Sequence, residues 1–196
     1  MMARVAPRQA SRAPAELDDV TLARARRGDD DACRALVARY QRPVFALLSR
    51  MLPGEAALVE DLAQETFLRV FAALPGFQVT GPARCSTWIL TIATRLALDE
   101  KRRKRRLDIP LEDATEPEAR ERADAVTQRR QAGDALRAAL ATLPEEQQAA
   151  FLLRAYHGLS YDEIGAVLDC DAGTVSSRLS RAKAALKARI HEVVHG

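Results

Sequence analysis

Apolar positions recur along this chain at helical spacing. No stretch sustains the every-second-residue alternation of a half-buried strand. Val59, Ala63, Phe67, Val70 and Leu74 form one stripe of a helix running from Ala57 to Leu74. Ile89, Ile92, Ala93 and Leu96 form another on a helix that opens at Ser86 or Thr87. Val175, Leu179, Ala182 and Leu186 form a third. Earlier in the chain, Val20, Leu22 and Ala23 lead to Arg26-Arg27-Gly28, where the glycine suits a helix end. Asp29 to Asp31 then cap a helix carrying Leu36, Val37, Tyr40, Val44, Leu47 and Leu48, with a kink expected at Pro43. Near the middle, Leu136, Leu140 and Leu143 precede Pro144-Glu145-Glu146. Proline at the first helical position and acids at the positive end of the dipole make that a good helix start. Ala149, Phe151, Leu152 and Ala155 continue that helix to Gly158.

Punctuation divides these helices into two groups. Ser160 and Glu163 form a capping box, and Ile164, Val167 and Leu168 give the short helix behind it an apolar side. Asp169-Cys170-Asp171 breaks the pattern before the Val175 stripe begins. That is a helix-turn-helix. Between the groups, from Leu107 to Asp134, periodicity fades. Eight acids stand there against four arginines, with prolines at 110 and 117, and the segment reads as an acidic flexible linker. The expected fold is all-α: two small helical domains, over residues 16–106 and 134–196, joined by a linker over 107–133. Residues 1–15 carry three arginines, no acid and no apolar core of a signal peptide, and read as a disordered basic tail.

The 196 residues and 47% hydrophobic content suffice for two small cores. A net charge of +3 says less than its distribution, because six consecutive cations, Lys101 to Arg106, end the Ser86 helix. Cys33, Cys85 and Cys170 are odd in number and far apart, with no CxxC, so neither a disulfide framework nor a zinc ribbon is supported. Buried thiols are the ordinary reading, a redox or metal sensor the sharper one. No apolar run is long enough to span a membrane, and a reducing cytoplasm fits.

Three faces carry candidate chemistry. Asp61, Gln64, Glu65 and Leu68 lie together on the Ala57 helix, either as a solvated acidic face or as a docking surface for a basic partner. The Ser86 helix presents Thr87, Thr91, Thr94, Arg95 and Leu98 on its outer side, with Trp88 in the first turn. A hydroxyl-rich face running into a cation row suits a nucleic-acid backbone. Thr174, Ser177, Arg178 and Arg181 oppose the Val175 stripe, as expected of a helix lying in a DNA major groove. His191-Glu192-Val193-Val194-His195 spells H-E-x-x-H, but at the chain end with no third ligand in view it does not make a zinc peptidase. Neither catalysis nor a cofactor or metal is expected.

On four patterns in order, the chain resembles an extracytoplasmic-function (ECF, group IV) sigma factor of bacterial RNA polymerase. They are ARRGDDDACRALVARYQRPVF, VEDLAQETFLRVF, STWILTIATRLALDEKRR and LPEEQQAAFLLRAYHGLSYDEIGAVLDCDAGTVSSRLSRAKAAL. The resemblance implies core polymerase as partner through its β′ clamp helices and β flap, with promoter DNA and an anti-sigma factor as further partners. It assigns polymerase binding to Asp61, Gln64, Glu65 and Leu68. It assigns minus-ten recognition and melting to Arg84, Ser86, Thr87, Trp88, Thr91, Thr94, Arg95, Leu98 and Arg102, with the loop Phe77 to Cys85. Minus-thirty-five reading falls to Thr174, Ser177, Arg178, Arg181 and Lys183, and the acidic linker threads toward the polymerase active centre. Three places depart from the family pattern. Leu90, Thr91 and Arg95 stand where an aromatic, an Arg and an Asn are frequent, Ser176 where a cation is common, and Asp171 where proline is common. Two other readings remain: a stand-alone helix-turn-helix regulator binding dimer half-sites, and a sigma mimic that titrates an anti-sigma factor. The retained arginines and the cation run weigh against the mimic.

Overall fold

The computed structural model describes residues 16–78, 84–107, 133 and 135–195, the last six of these in backbone only. The expected basic tail, the centre of the Phe77–Cys85 loop, nearly all of the acidic linker and the side chains of the His191–His195 motif lie outside the described residues.

Helix α1, Asp19–Arg26, begins where the Asp18 carboxylate accepts the Thr21 N–H at 2.9 Å. It ends at Gly28, whose φ of +82° is open to glycine at no steric cost. Asp29 caps α2, Asp30–Met51, by accepting from the Ala32 N–H, and Arg24 grips the same carboxylate from α1. α2 runs unbroken through Pro43, so the expected kink does not interrupt it. α3, Ala56–Ala73, passes into a 3₁₀ turn, Leu74–Gly76.

Next comes α4, Cys85–Leu107, which starts one residue earlier than the sequence suggests. Glu16 explains that start. Its carboxylate accepts from the Ser86 N–H at 3.2 Å, from the Ser86 hydroxyl, and from Tyr40 at 3.0 Å. It therefore satisfies otherwise unpaired donors at the start of a helix seventy residues away.

In the second module a helical stretch over 135–141 precedes α5, Glu145–His157. Pro144 is the N-cap of α5 rather than its first residue, and Gly158 closes the helix at φ +70°. α6, Tyr161–Leu168, carries the full capping box, with Ser160 accepting from the Glu163 N–H and Glu163 from the Ser160 N–H. The last helix, α7, spans Ala172–His195. No strand occurs among the described residues.

The buried apolar residues form one continuous cluster from Leu22 to Leu186 rather than two separate cores. α2 is the hub of the first module, packing on α1, α3 and α4. The second module lies directly against it, α5 on α2 and α6 on α4.

Candidate nucleic-acid and protein interfaces

On α3 the apolar stripe turns Val59, Ala63 and Val70 inward and leaves Asp61, Gln64 and Leu68 exposed, with Glu65 half-buried. Glu65 is tied to Arg69 one turn on, at 2.7 Å. Leu68 is 65% exposed, a large apolar side chain standing in solvent among carboxylates. It borders a groove of about 540 Å³ between α2 and α3, walled by Val37, Phe45, Phe67 and Phe71. These are the features of a docking face: an apolar trough with acids beside it. Phe67, expected in the core stripe, lines this groove instead, and Thr66 takes the core place by donating its hydroxyl to the Leu62 carbonyl at 2.7 Å.

On α4 the expected outer face is only partly outer. Thr94 is fully buried and donates to the Leu90 carbonyl at 2.7 Å, and Leu98 belongs to the core. The physical reason is that α4 packs on both sides, against α2 and α3 on one and α6 on the other, so its buried stripe is broad. Ser86 and Thr87 are buried as well, Ser86 by its bonds to Glu16. Thr91, half-buried, donates back to the Thr87 carbonyl at 2.8 Å. Arg84, Arg95 and Arg102 are exposed. Trp88 is half-buried and stacks on Phe77, ring centroids 4.7 Å apart. That pair puts an aromatic ledge beside the loop. Phe77 carried no periodic signal beyond its place next to the Pro75-Gly76 turn.

The cation row is already partnered in part. Arg103 pairs with Glu100, Lys104 with Glu55, and Arg102 with Glu146 at 3.4 Å. Lys101 is more enclosed. Its ammonium meets the Gln148 side-chain carbonyl at 2.5 Å, and burial pushes its pKa below the usual lysine value against the pull of Glu145.

On α7, Val175, Leu179, Ala182 and Leu186 are buried as their spacing demands. Ser177, Arg181 and Lys183 are exposed, and Thr174 and Arg178 half-buried. Asp171 fixes the start of the helix: it accepts from the Thr174 N–H and from the Thr174 hydroxyl, each at 2.8 Å, and these bonds lower its pKa. So the aspartate found where proline is common serves as an N-cap. Arg178 bends back to Glu146 and to the Cys170 sulfur, 3.0 Å away. The result is a row of donors and cations along one open face, with one guanidinium held in place by its neighbours.

All three cysteines are free thiols. Burial pushes Cys85 up to about 11 despite the Tyr40 hydrogen bond, and burial also raises Cys33. Both are protonated at neutral pH and poorly reactive. His157 is buried, and burial with the Arg50 charge pushes its pKa down to about 4. Among the described residues no cluster of three or more metal-ligating side chains occurs. No helix there is long and apolar enough to cross a membrane.

Comparison with known proteins matches both modules. The sigma-70 region 2 family model covers residues 36–107 and the sigma-70 region 4 model residues 133–186. The chain is 34% identical over 190 residues to the ECF RNA polymerase sigma-E factor of Escherichia coli K12, spanning 90% of this chain and 96% of that one. It is 33% identical over 184 residues to the RNA polymerase sigma-H factor of Pseudomonas aeruginosa, spanning 87% and 92%. Among solved structures, CnrH in complex with the cytosolic domain of CnrY matches with a TM-score of 0.61 at 25% identity, over 86% of this chain and 94% of that one. The fold is also that of the sigma factor RpoE of Bartonella quintana, solved with the anti-sigma factor NepR, with a TM-score of 0.60 at 22% identity over 82% and 95%.

Proposed function

This chain belongs to the ECF family of sigma-70 factors, and from that premise we propose how its surfaces divide the work of a sigma factor. It binds core RNA polymerase and directs promoter-specific transcription initiation. The observation that carries the assignment of surfaces is the order of faces. The exposed acidic and apolar face of α3 is followed directly by α4 with its aromatic ledge and cations, and later by the open donor row of α7.

Asp61, Gln64, Glu65 and Leu68, with the groove beside them, form the polymerase grip on the β′ clamp helices. Its acids steer a basic partner and Leu68 supplies the apolar anchor. Arg84, Trp88, Thr91, Arg95 and Arg102 form the minus-ten grip. Ser86, Thr87, Thr94 and Leu98, all buried, support it from inside the helix packing. Thr174, Ser177, Arg178, Arg181 and Lys183 form the minus-thirty-five grip. The functional domains are 16–106 and 134–196, within group IV of the family, with the β flap contacting the second. Unstacking bases costs a few kcal/mol, which polymerase must help supply. The chain itself does no covalent chemistry and works in the cytoplasm, as the family's role in initiation requires.

A protein partner controls it. Support comes from the CnrH structure, in which a relative at 25% identity is bound to the cytosolic domain of CnrY. An apolar groove of about 540 Å³ left open on this chain offers such a partner a seat.

The test is run-off transcription with purified core enzyme on a genomic template pool. Promoter-dependent transcripts are expected only when the chain is added. Binding to core without any such transcript would sink the reading.

A further inference from the structure

Phe77 and Trp88 come from opposite ends of the loop that joins α3 to α4, and they meet ring on ring, 4.7 Å apart. Such a pair keeps its place only if both ends of the loop are fixed. The side chains that reach across to fix them belong to neither α3 nor α4. They lie at the start of the described chain, within residues 16–26.

At the incoming end, Arg26 of α1 donates to the Pro75 carbonyl at 3.0 Å, two residues before Phe77. The Phe77 N–H closes the 3₁₀ turn on the Leu74 carbonyl at 3.1 Å, so the guanidinium grips the turn from which the ring projects. At the outgoing end, Glu16 accepts from the Ser86 N–H and hydroxyl, two residues before Trp88. The Trp88 N–H opens the α4 ladder on the Arg84 carbonyl at 3.0 Å, and the Ser86 N–H stands ahead of that ladder with no acceptor inside the helix. Tyr40 completes the anchor. Only 1% exposed, it donates its hydroxyl to Glu16 and accepts from the Leu17 N–H at 3.0 Å. A carboxylate at the surface is thus held by a ring in the core.

The sign of the charge sharpens the case. Glu16 binds two residues from the exposed Arg84, on a face read as meeting DNA, where a carboxylate repels phosphates. An acid with no other task there would only weaken binding.

We propose that Glu16 and Arg26 are positioning residues for promoter opening: they hold the two ends of the loop so that the Phe77–Trp88 ledge stands ready for an unstacked base. This rests on the reading of α4 as the minus-ten grip. Neither residue touches DNA, and both act through the ledge. Stacking on an aromatic ring tolerates any base, so the two residues govern opening rather than promoter choice.

Trp88 is the only tryptophan, so its fluorescence reads the ledge in the free chain. In Glu16→Ala it is expected to emit further to the red and to be quenched more steeply by acrylamide. Glu16→Gln, which keeps an acceptor for the Ser86 N–H, is expected to match wild type. Arg26→Ala leaves the Tyr40 anchor intact and is expected to shift the emission to a lesser degree, which keeps the test open should Glu16→Ala not fold. The second readout is transcription by holoenzyme on a promoter mapped by run-off transcription, and on the same promoter with its minus-ten region mismatched. On the duplex Glu16→Ala is expected to lose about tenfold, as when one charge-assisted hydrogen bond is taken from a rate-limiting step. On the mismatched template, where the strands are already apart, it is expected to regain wild-type output. An equal loss on both templates, the mark of a merely misfolded chain, overturns the proposal. Undiminished or raised output on the duplex overturns it too, as does Trp88 emission unchanged in Glu16→Ala. Glu16→Gln as defective as Glu16→Ala overturns the acceptor role, and Arg26→Ala equal to wild type in both readouts overturns the hold at the incoming end. A wild-type chain that gives no promoter-dependent transcript strikes the functional reading instead, while the fluorescence still decides the hold on the ledge.

Discussion

Arg178 is held before any DNA arrives. Its side chain is only 19% exposed, paired with Glu146 and lying against the Cys170 sulfur. A guanidinium fixed in this way loses little freedom when it meets a base edge, and its fork matches the O6 and N7 of guanine. Replacing Arg178 by Ala is expected to cost about 1–3 kcal/mol of discrimination at the minus-thirty-five element. Transcription from templates varied at each base of that element measures the loss, and an unchanged preference would refute the role. His157 gives a prediction of a different kind. An ordinary histidine takes its proton near 6.5, while His157 in the folded chain resists protonation down to about 4. Between those values the unfolded chain binds more protons, so stability is complete above the upper value and falls as pH falls toward the lower. The loss reaches at most about 3 kcal/mol. Urea midpoints at pH 7.5 and 5.5 should fall further in wild type than in His157→Gln, and equal falls would exclude the mechanism. The exposed row of α7 was legible because its residues oppose a clean stripe. Thr94 and Leu98 were misplaced because the period of a helix says which residues share a face, not how many faces are covered. Glu16 left no trace at all, since a cap supplied across seventy residues has no local spacing.

The helix-turn-helix depends on one close approach. A Cβ on Gly165 would stand 2.5 Å from the Cys170 carbonyl oxygen, in the turn that follows Asp169 at φ +52°. Backbone, unlike the end of a long side chain, cannot swing away, so Gly165→Ala must move the turn and with it α7. The expected loss is about 1–3 kcal/mol in stability, the range for overpacking. Minus-thirty-five selection should suffer more than that loss explains, because the recognition row is displaced as a unit. Chemical denaturation beside the transcription assay separates the two effects, and a variant with normal promoter selection would show that the turn tolerates the methyl. Ser160→Ala tests the other end of α6. Losing half of a capping box there should cost about 1 kcal/mol, read as a lowered urea midpoint without a change in slope. The capping box was plain in the sequence because serine and glutamate three apart are themselves the signal. Asp171 was harder to read. It looked like a missing proline, yet its two bonds to Thr174 do the work of starting α7.

At the scale of the molecule, two helical groups are legible from the acidic interruption between Leu107 and Asp134, but their embrace is not. Its contacts join polar residues such as Lys101 with Gln148 and Gln148 with Arg50, 47 and 98 positions apart, and these carry neither periodicity nor motif. The consequence concerns cooperativity. Because the apolar cluster is continuous and the polar seam closes over it, heating should unfold both modules in one transition, with calorimetric and van't Hoff enthalpies equal. Gln148→Lys breaks the seam without deleting apolar area from the cluster, so it should resolve the single peak into two. A truncation ending before Gly133 should then reproduce the peak of the first module. Two peaks already present in wild type would mean that the modules fold independently and that the seam contributes little to the free chain. One peak in both proteins would mean that the apolar contacts, not the seam, bind the modules together. Scanning calorimetry of the two full-length proteins and the truncation distinguishes these outcomes directly.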